Sequence, residues 1–175
     1  SKNRLDVISV SALLNAFSEH EGYLLLASSA NDERYNKEYL EFIAYHDPLT
    51  GLPNRFLLFN KLESFLKQVN KGIKIAAFYV DFDDFKSVND GYGHQVGDKL
   101  LVEVSKKIDE IFPKQGVFAR IGGDEFIGIA SYENLGEIYE TADNILRIAK
   151  EKNSIEEGDI RLSVSVGISL SRDAL

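Results

Sequence analysis

The order in which strand-like and helix-like segments follow one another between residues 73 and 169 restricts the fold of this chain more than any other feature. Ile73 to Asp81 is an apolar run that reads as a strand, and residues 97–112 read as a helix. Residues 117–121 and 126–130 read as the two strands of a hairpin, 134–151 as a second helix and 160–169 as a last strand. That succession is βαββαβ, the split βαβ arrangement of ferredoxin-like α+β folds, with helices flanking a sheet that contains antiparallel pairs. A right-handed crossover sets the first strand parallel to the second, and the third lies between them in the opposite direction. The C-terminal end of the first strand therefore lies beside the turn joining the second and third. Asp81 and Asp124, 43 positions apart, are expected to meet there.

Both places are acidic. The run Arg120-Ile121-Gly122-Gly123-Asp124-Glu125-Phe126 sets two carboxylates directly after two glycines, whose bare backbone lets a phosphate or sugar come close. Taken alone, it also fits an ordinary glycine turn with solvated acids. Upstream, Asp81-Phe82-Asp83-Asp84-Phe85-Lys86 puts three acids within four residues at a strand end. Oxygen ligands of this kind suit Mg²⁺ or Mn²⁺, usually held in nucleotide sites by one or two carboxylates, phosphates and waters. A solvated strand end followed by a helix cap is the competing account of that segment. Convergence of two independent acidic sites is harder to explain as solvated surface. In phosphoryl chemistry the usual reason for it is a pair of metals about 3.5–4 Å apart.

Five segments in one order carry a family resemblance: Asp47-Pro48-Leu49-Thr50-Gly51-Leu52-Pro53-Asn54-Arg55, Asp81 through Asn89, Gly93-His94 with Gly97-Asp98, Arg120 to Phe126, and Ser165-Val166-Gly167-Ile168-Ser169. Together they resemble the GGDEF domain, the catalytic module of diguanylate cyclases, over residues 47 to about 170. The resemblance implies a palm-like sheet that binds GTP and, as a homodimer, joins two GTP molecules into cyclic di-GMP with release of two pyrophosphates. It implies further that Asp81, the main-chain carbonyl of Phe82, and Asp124 hold two Mg²⁺ or Mn²⁺ ions. Asn89 and Asp98 would hold the guanine, with Phe85, Gly122 and Gly123 also lining the substrate. Lys86 would reach the triphosphate, and Asp124 or Glu125 would help deprotonate the attacking ribose 3′-hydroxyl. A non-catalytic GTP- or cyclic-di-GMP-binding regulatory module is the alternative, and a related cyclase or polymerase palm with another substrate is a third reading.

Elementary chemistry supports several of these roles. Guanine presents two N–H donors on one edge, which the two oxygens of Asp98 can accept, whereas adenine cannot reciprocate. A helix N-terminal acid favoured by the helix dipole accounts equally well for Asp98 taken alone. The chain carries a formal net charge of -8, so its bulk field repels a triphosphate. Local cations must supply the attraction: bound metal, Lys86 as a point charge, and a nest of main-chain N–H groups along Phe82 to Phe85. Pairing of Lys86 with Asp83 or Asp90 is the competing expectation. His94, between a glycine turn and a helix start, reads as a loop-fixing residue rather than a general base. Arg120 would touch phosphate, a partner subunit or a nearby acid.

Two departures from the family pattern bear on function. The positions of its Arg-x-x-Asp product-inhibition motif read Pro113-Lys114-Gln115-Gly116, so feedback through that motif is not expected. The chain stops at Leu175, where family members continue into a basic helix, so residues 46–175 read as a GGDEF domain lacking its C-terminal helix.

With 175 residues and 44% apolar content, the chain can bury one core and a short appendage. Zero cysteines exclude disulfides and thiol chemistry. No apolar run approaches the ~20 residues that span a bilayer. A cytoplasmic setting is expected, including the cytoplasmic part of a membrane-bound sensor, with no membrane contact from this segment and no nucleic-acid partner. Residues 1–45 read as a helical segment, in which Tyr35, Tyr39, Phe42 and Ala44-Tyr45 form a partial apolar face. It is either a stalk from an N-terminal sensory domain or a helix packed on its own domain. Pro53 is expected in the first turn of a second helix, with Phe56, Phe59, Leu62, Leu66 and Val69 facing the core.

Overall fold

A computed structural model of the protein describes residues 33–69, 71–151, 153–155 and 158–171. The chain divides into two units, Ser1–Ile43 and Ala44–Leu175. Of the first unit the described part belongs to helix α1 (Glu33–Tyr45), while the rest of the expected N-terminal helical segment, residues 1–32, lies outside the described residues.

The second unit contains helix α2 (Arg55–Val69), strand β1 (Lys74–Phe82), helices α3 (Phe85–Tyr92) and α4 (His94–Ile111), and strands β2 (Val117–Gly122) and β3 (Glu125–Tyr132). Helix α5 (Leu135–Ala149), a small hairpin of β4 (Asn153–Ile155) and β5 (Gly158–Ile160), and strand β6 (Val164–Leu170) complete it. Strand order in the main sheet is β2-β3-β1-β6, with every neighbouring pair antiparallel. This is the expected α+β architecture.

Alternation along β1 sends Ala76, Phe78, Val80 and Phe82 to the inner face. There they meet Val96, Leu100, Leu101, Val104 and Ile108 of α4, and Ile138, Ala142, Ile145 and Ile148 of α5. On the outer face, Ile75, Val117, Ala119 and Ile129 pack against α2. That helix covers the end of the sheet where β1 begins; the end where β1 stops stays open, with Tyr79 exposed and Asp81 half-buried.

Four sequence expectations need correction. Helix α2 buries Leu58 and Phe65, with Leu62 and Val69 packed beside them. Of the residues expected to face the core, Phe56 (56% exposed), Phe59 (52%) and Leu66 (56%) point to solvent. The helix is apolar on two sides, and positions 58, 62, 65 and 69 keep the better i, i+4, i+7, i+11 spacing. Pro53 lies before this helix, in a β-bridge with His46, and Asn54 is the cap, its Oδ1 accepting from Leu57 N at 3.0 Å. Residues 85–92, to which the sequence pattern assigns no element between the first strand and the first helix, form α3, because Phe85 enters the core and Val88 packs on it. The last expected strand is divided: residues 158–160 pair with β4, and Leu162 dips into the core before β6 begins.

At the β2 start, a Cβ on Gly128 would sit 2.5 Å from the Phe112 ring, and one on Gly116 2.7 Å from the Ile129 carbonyl oxygen. Tight packing therefore leaves no room for the Asp that the product-inhibition motif would place at Gly116. Among the described residues, no helix is long and apolar enough to cross a membrane.

The two faces of α2 make a direct test. Leu58→Ala is expected to cost about 2–4 kcal/mol in urea unfolding, and Phe59→Ala under about 1 kcal/mol. Equal losses would restore the face expected from sequence.

Candidate active site

Strand β2 ends at Gly122 and β3 begins at Glu125, with a register irregularity between Arg120 and Gly122. Gly123 has φ +48°, which favours glycine, and nothing lies within 4 Å of where a Cβ would stand on Gly122 or Gly123. Openness to a ligand, rather than internal packing, is what the absence of side chains provides here. Across the sheet, Asp81 pairs with Glu125, and Phe82 N donates to the Asp124 carbonyl oxygen at 3.3 Å. The end of β1 and the acidic turn thus share one rim, as the topology requires. The Asp81 pKa is raised, first by desolvation, then by the negative charges of Asp124, Glu125 and Asp83. A bound cation would relieve that crowding.

Asp83 is tied to β6. Its carboxylate accepts from Ser165 Oγ at 2.6 Å, and hydrogen bonds from Ser165 and Ser163 hold its pKa below the usual value. Asp84 bends the chain from β1 into α3 at φ 52°, the one non-glycine residue with positive φ among those described. The expected N–H nest is half spent: Phe82 donates to Asp124 O and Asp83 to Ser163 O. The donors that remain belong to Asp84 and Phe85, at the start of α3.

Among the described residues, no three His, Cys, Asp or Glu side chains are placed to hold a metal ion between them. The donors that the family resemblance assigns are two carboxylates, Asp81 and Asp124, which share this rim, with the Phe82 carbonyl. Hard oxygens in that number fit Mg²⁺, which keeps several waters and takes substrate phosphates rather than a closed protein cage.

Sequence reasoning missed Tyr79. Two positions before Asp81 it shares the outer face, and its hydroxyl donates to Glu125 Oε1. That hydrogen bond, more than desolvation and the nearby charges, raises the phenol to about 12. Strand alternation was the available signal.

Of the contacts expected for Arg120, the one with a nearby acid is present. Its Nη1 donates to Asp47 Oδ1 at 2.8 Å, while Nε and Nη2 donate to the Gly123 carbonyl oxygen at 2.9 and 2.7 Å. Asp47 Oδ1 also accepts from Thr50 N and Thr50 Oγ1, both at 2.8 Å. Burial alone would raise the Asp47 pKa, but the bonds from Arg120 and Thr50 outweigh it and hold the value low. A motif 73 residues upstream thereby locks the acidic turn.

On the other side of the rim, α3 and α4 form an elbow. Lys86 is exposed in the first turn of α3, and among the described residues it makes no ion pair with Asp83 or Asp90. Phe85 buries its ring 6.1 Å from that of Phe82, leaving its main chain to the site. Asn89 and Asp98 are half-buried, and a Cβ on Gly97 would lie 2.0 Å from Asn89 Oδ1. His94 is exposed as the first residue of α4.

Residues 44–174 match the family model described as diguanylate cyclase, GGDEF domain. The chain belongs to the GGDEF domain family. It is 37% identical over 138 residues to the bifunctional diguanylate cyclase/cyclic di-GMP phosphodiesterase MucR of Pseudomonas aeruginosa, covering 78% of this chain and 20% of MucR. Identity is also 37% over 140 residues to the cyclic di-GMP phosphodiesterase PdeR of Escherichia coli, covering 80% of this chain and 21% of PdeR. The chain thus spans about a fifth of the length of each of these two relatives. Among solved structures, the GGDEF domain of TpbB from Pseudomonas aeruginosa superposes with a TM-score of 0.68 at 33% identity, covering 71% of this chain and 74% of that one. The coiled coil and GGDEF domain of DgcB from Caulobacter crescentus, in complex with c-di-GMP, gives 0.71 at 26% identity, covering 80% and 76%.

Two outcomes check this geometry. Asp47→Ala is expected to cost about 2–3 kcal/mol, with a coupling to Arg120→Ala above about 1 kcal/mol in a double-mutant cycle. Because the folded pKa of Asp47 is depressed, its contribution is present above the unfolded value of about 4 and lost as pH falls through the folded one. The wild-type advantage over Asp47→Asn should therefore shrink in acid unfolding below about pH 4. In ¹³C NMR, Tyr79 should titrate at about 12 and return toward 10 in Glu125→Gln; no movement would remove that hydrogen bond from the site.

Proposed function

We propose that this domain is a diguanylate cyclase module that condenses two GTP molecules into cyclic di-GMP, with one GTP held by each of two copies. The observation that supports it best is the meeting of Asp81 with Asp124 and Glu125 at one rim, beside an elbow holding Asn89 and Asp98.

Asp81, the Phe82 carbonyl and Asp124 are the residues that would hold Mg²⁺ or Mn²⁺, two per site. When bound, such ions neutralise phosphate charge and polarise the phosphoryl group. Asp98 accepts the two N–H donors of the guanine edge, and Asn89 adds an amide. Lys86 and the N–H groups opening α3 draw the triphosphate against the repulsion of a chain with net charge -8. Glu125 or Asp124 takes the proton of the ribose 3′-hydroxyl. The 3′-oxygen then forms a bond to the α-phosphorus of the partner's GTP, the bond from that phosphorus to the β-phosphate oxygen breaks, and pyrophosphate leaves. Repeating the step with the two nucleotides exchanged closes the ring. Use of GTP sets the domain on the cytoplasmic side, and the greater length of its relatives supports an attached sensory region.

A second reading, a regulatory module that binds GTP or cyclic di-GMP without turnover, is favoured by the name of PdeR, a phosphodiesterase as similar as any relative reported above. Incubation with GTP and Mg²⁺, following pyrophosphate and the cyclic product, separates the two. Binding of GTP without pyrophosphate release would establish the second.

Asp81→Asn is expected to lower turnover at least about 10²-fold. Its folded-state pKa is raised, so ionised Asp81 opposes folding and the variant should unfold at an equal or higher denaturant midpoint. Unchanged turnover would refute the role of Asp81. The rate per subunit should rise with protein concentration, because bond formation joins nucleotides on two copies; a dilution-independent rate in monomeric protein would contradict this.

A further inference from the structure

Gly97 lies buried in the first turns of α4, and the Asn89 side chain reaches across from α3 to rest against it. A Cβ on Gly97 would stand 2.0 Å from Asn89 Oδ1, 3.1 Å from Asn89 Cγ and 3.2 Å from Phe85 Cζ. None of these neighbours can yield easily without consequence. Phe85 is wedged into the core with its ring against Phe82. The helices themselves are tied, since Gly93 N donates to Asn89 O at 2.9 Å and Gly97 N to Gly93 O at 3.2 Å. Only the Asn89 amide can move, and it would have to leave its place beside the residue preceding Asp98.

Glycine inside a helix is worse than alanine by about 1 kcal/mol, so position 97 works against helix propensity. Its φ lies outside the range that favours glycine, and backbone conformation gives no reason for the choice. Space for the Asn89 head does. An amide offers both a donor and an acceptor, so its placement decides which base edge it can satisfy.

We propose that Gly97 is a positioning residue for base selection: the missing side chain seats the Asn89 amide next to Asp98, so that the two together match guanine. This rests on the guanine-nucleotide reading above. The mechanism predicts a selective defect. Displacing Asn89 removes its contact to the base while leaving Asp81, Lys86 and the acidic turn in place, so base discrimination falls and phosphate affinity does not.

The test measures binding of the non-hydrolysable analogues α,β-methylene-GTP and α,β-methylene-ATP, and of inorganic triphosphate, each with Mn²⁺. The proteins are the full chain, Gly97→Ala, Asn89→Ala and the double variant. Gly97→Ala should weaken the GTP analogue about tenfold, the loss of roughly one hydrogen bond, narrow the guanine-over-adenine ratio similarly, and leave triphosphate affinity unchanged. Because Gly97 acts through Asn89, the double variant should bind as Asn89→Ala does. It also removes the clash, so it decides the matter should Gly97→Ala alone fold poorly. A wild-type guanine preference that survives in Gly97→Ala, or losses that multiply in the double variant, would overturn the inference alone. Absence of guanine preference in the wild-type chain would overturn it together with the proposed function.

Discussion

The antiparallel register of β1 with β3 is the constraint on which both the core and the site depend. Eight pairs run from Lys74↔Tyr132 to Asp81↔Glu125. Strand side chains alternate, so burying Phe78, Val80 and Phe82 on one face forces Tyr79 and Asp81 onto the other. A slip of one residue would exchange the two sets. Each buried aromatic contributes about 1.5–3 kcal/mol, and Phe78, Phe82, Phe118 and Phe126 are all fully buried. That stabilisation exceeds what crowding half-exposed carboxylates can cost, and hydrophobic packing thereby enforces an electrostatically unfavourable rim.

Several deviations from regular structure lie at the same rim. Gly123 and Asp84 have positive φ, β2 loses register before Gly122, and Asp81 sits among like charges. Each is held in place by something stiffer. Arg120 fixes the turn by gripping the Gly123 carbonyl while Asp47 fixes Arg120, and Ser165 ties Asp83 to the edge strand. Strained or repelling groups persist only where their surroundings over-determine them.

What could be read from the sequence follows from this division. The βαββαβ order and the meeting of Asp81 with the Asp124 turn were legible, because hydrophobic period and crossover handedness determine them. The buried side of α2 was not, since the helix carries apolar residues on two faces and only the sheet beneath chooses between them. Helix α3 hides behind Asp90-Gly91 and Gly93, which read locally as a turn, and tertiary burial of Phe85 overrides them. The Arg120–Asp47 pair spans 73 residues and has no local signature. Asp83 looked equivalent to Asp81, yet β1 ends at Phe82 and Ser165 holds the Asp83 carboxylate.

The two halves of the candidate site differ in what supports them. Asn89, Gly97 and Asp98 belong to helices whose neighbours Phe85, Val96, Leu100 and Leu101 are core residues. Asp124 and Glu125 follow two exposed glycines in a turn that Arg120 holds from one side. Rearranging the elbow would require unpacking the core, whereas re-aiming the turn requires only a change at Arg120, Asp47 or Tyr79. In the proposed reading, base recognition is therefore the durable property of this fold and turnover the adjustable one. On that reading a domain that lost its chemistry through the turn would keep its base-binding elbow, and a regulatory module and a cyclase would be separated by a few contacts at one hairpin rather than by a difference in fold.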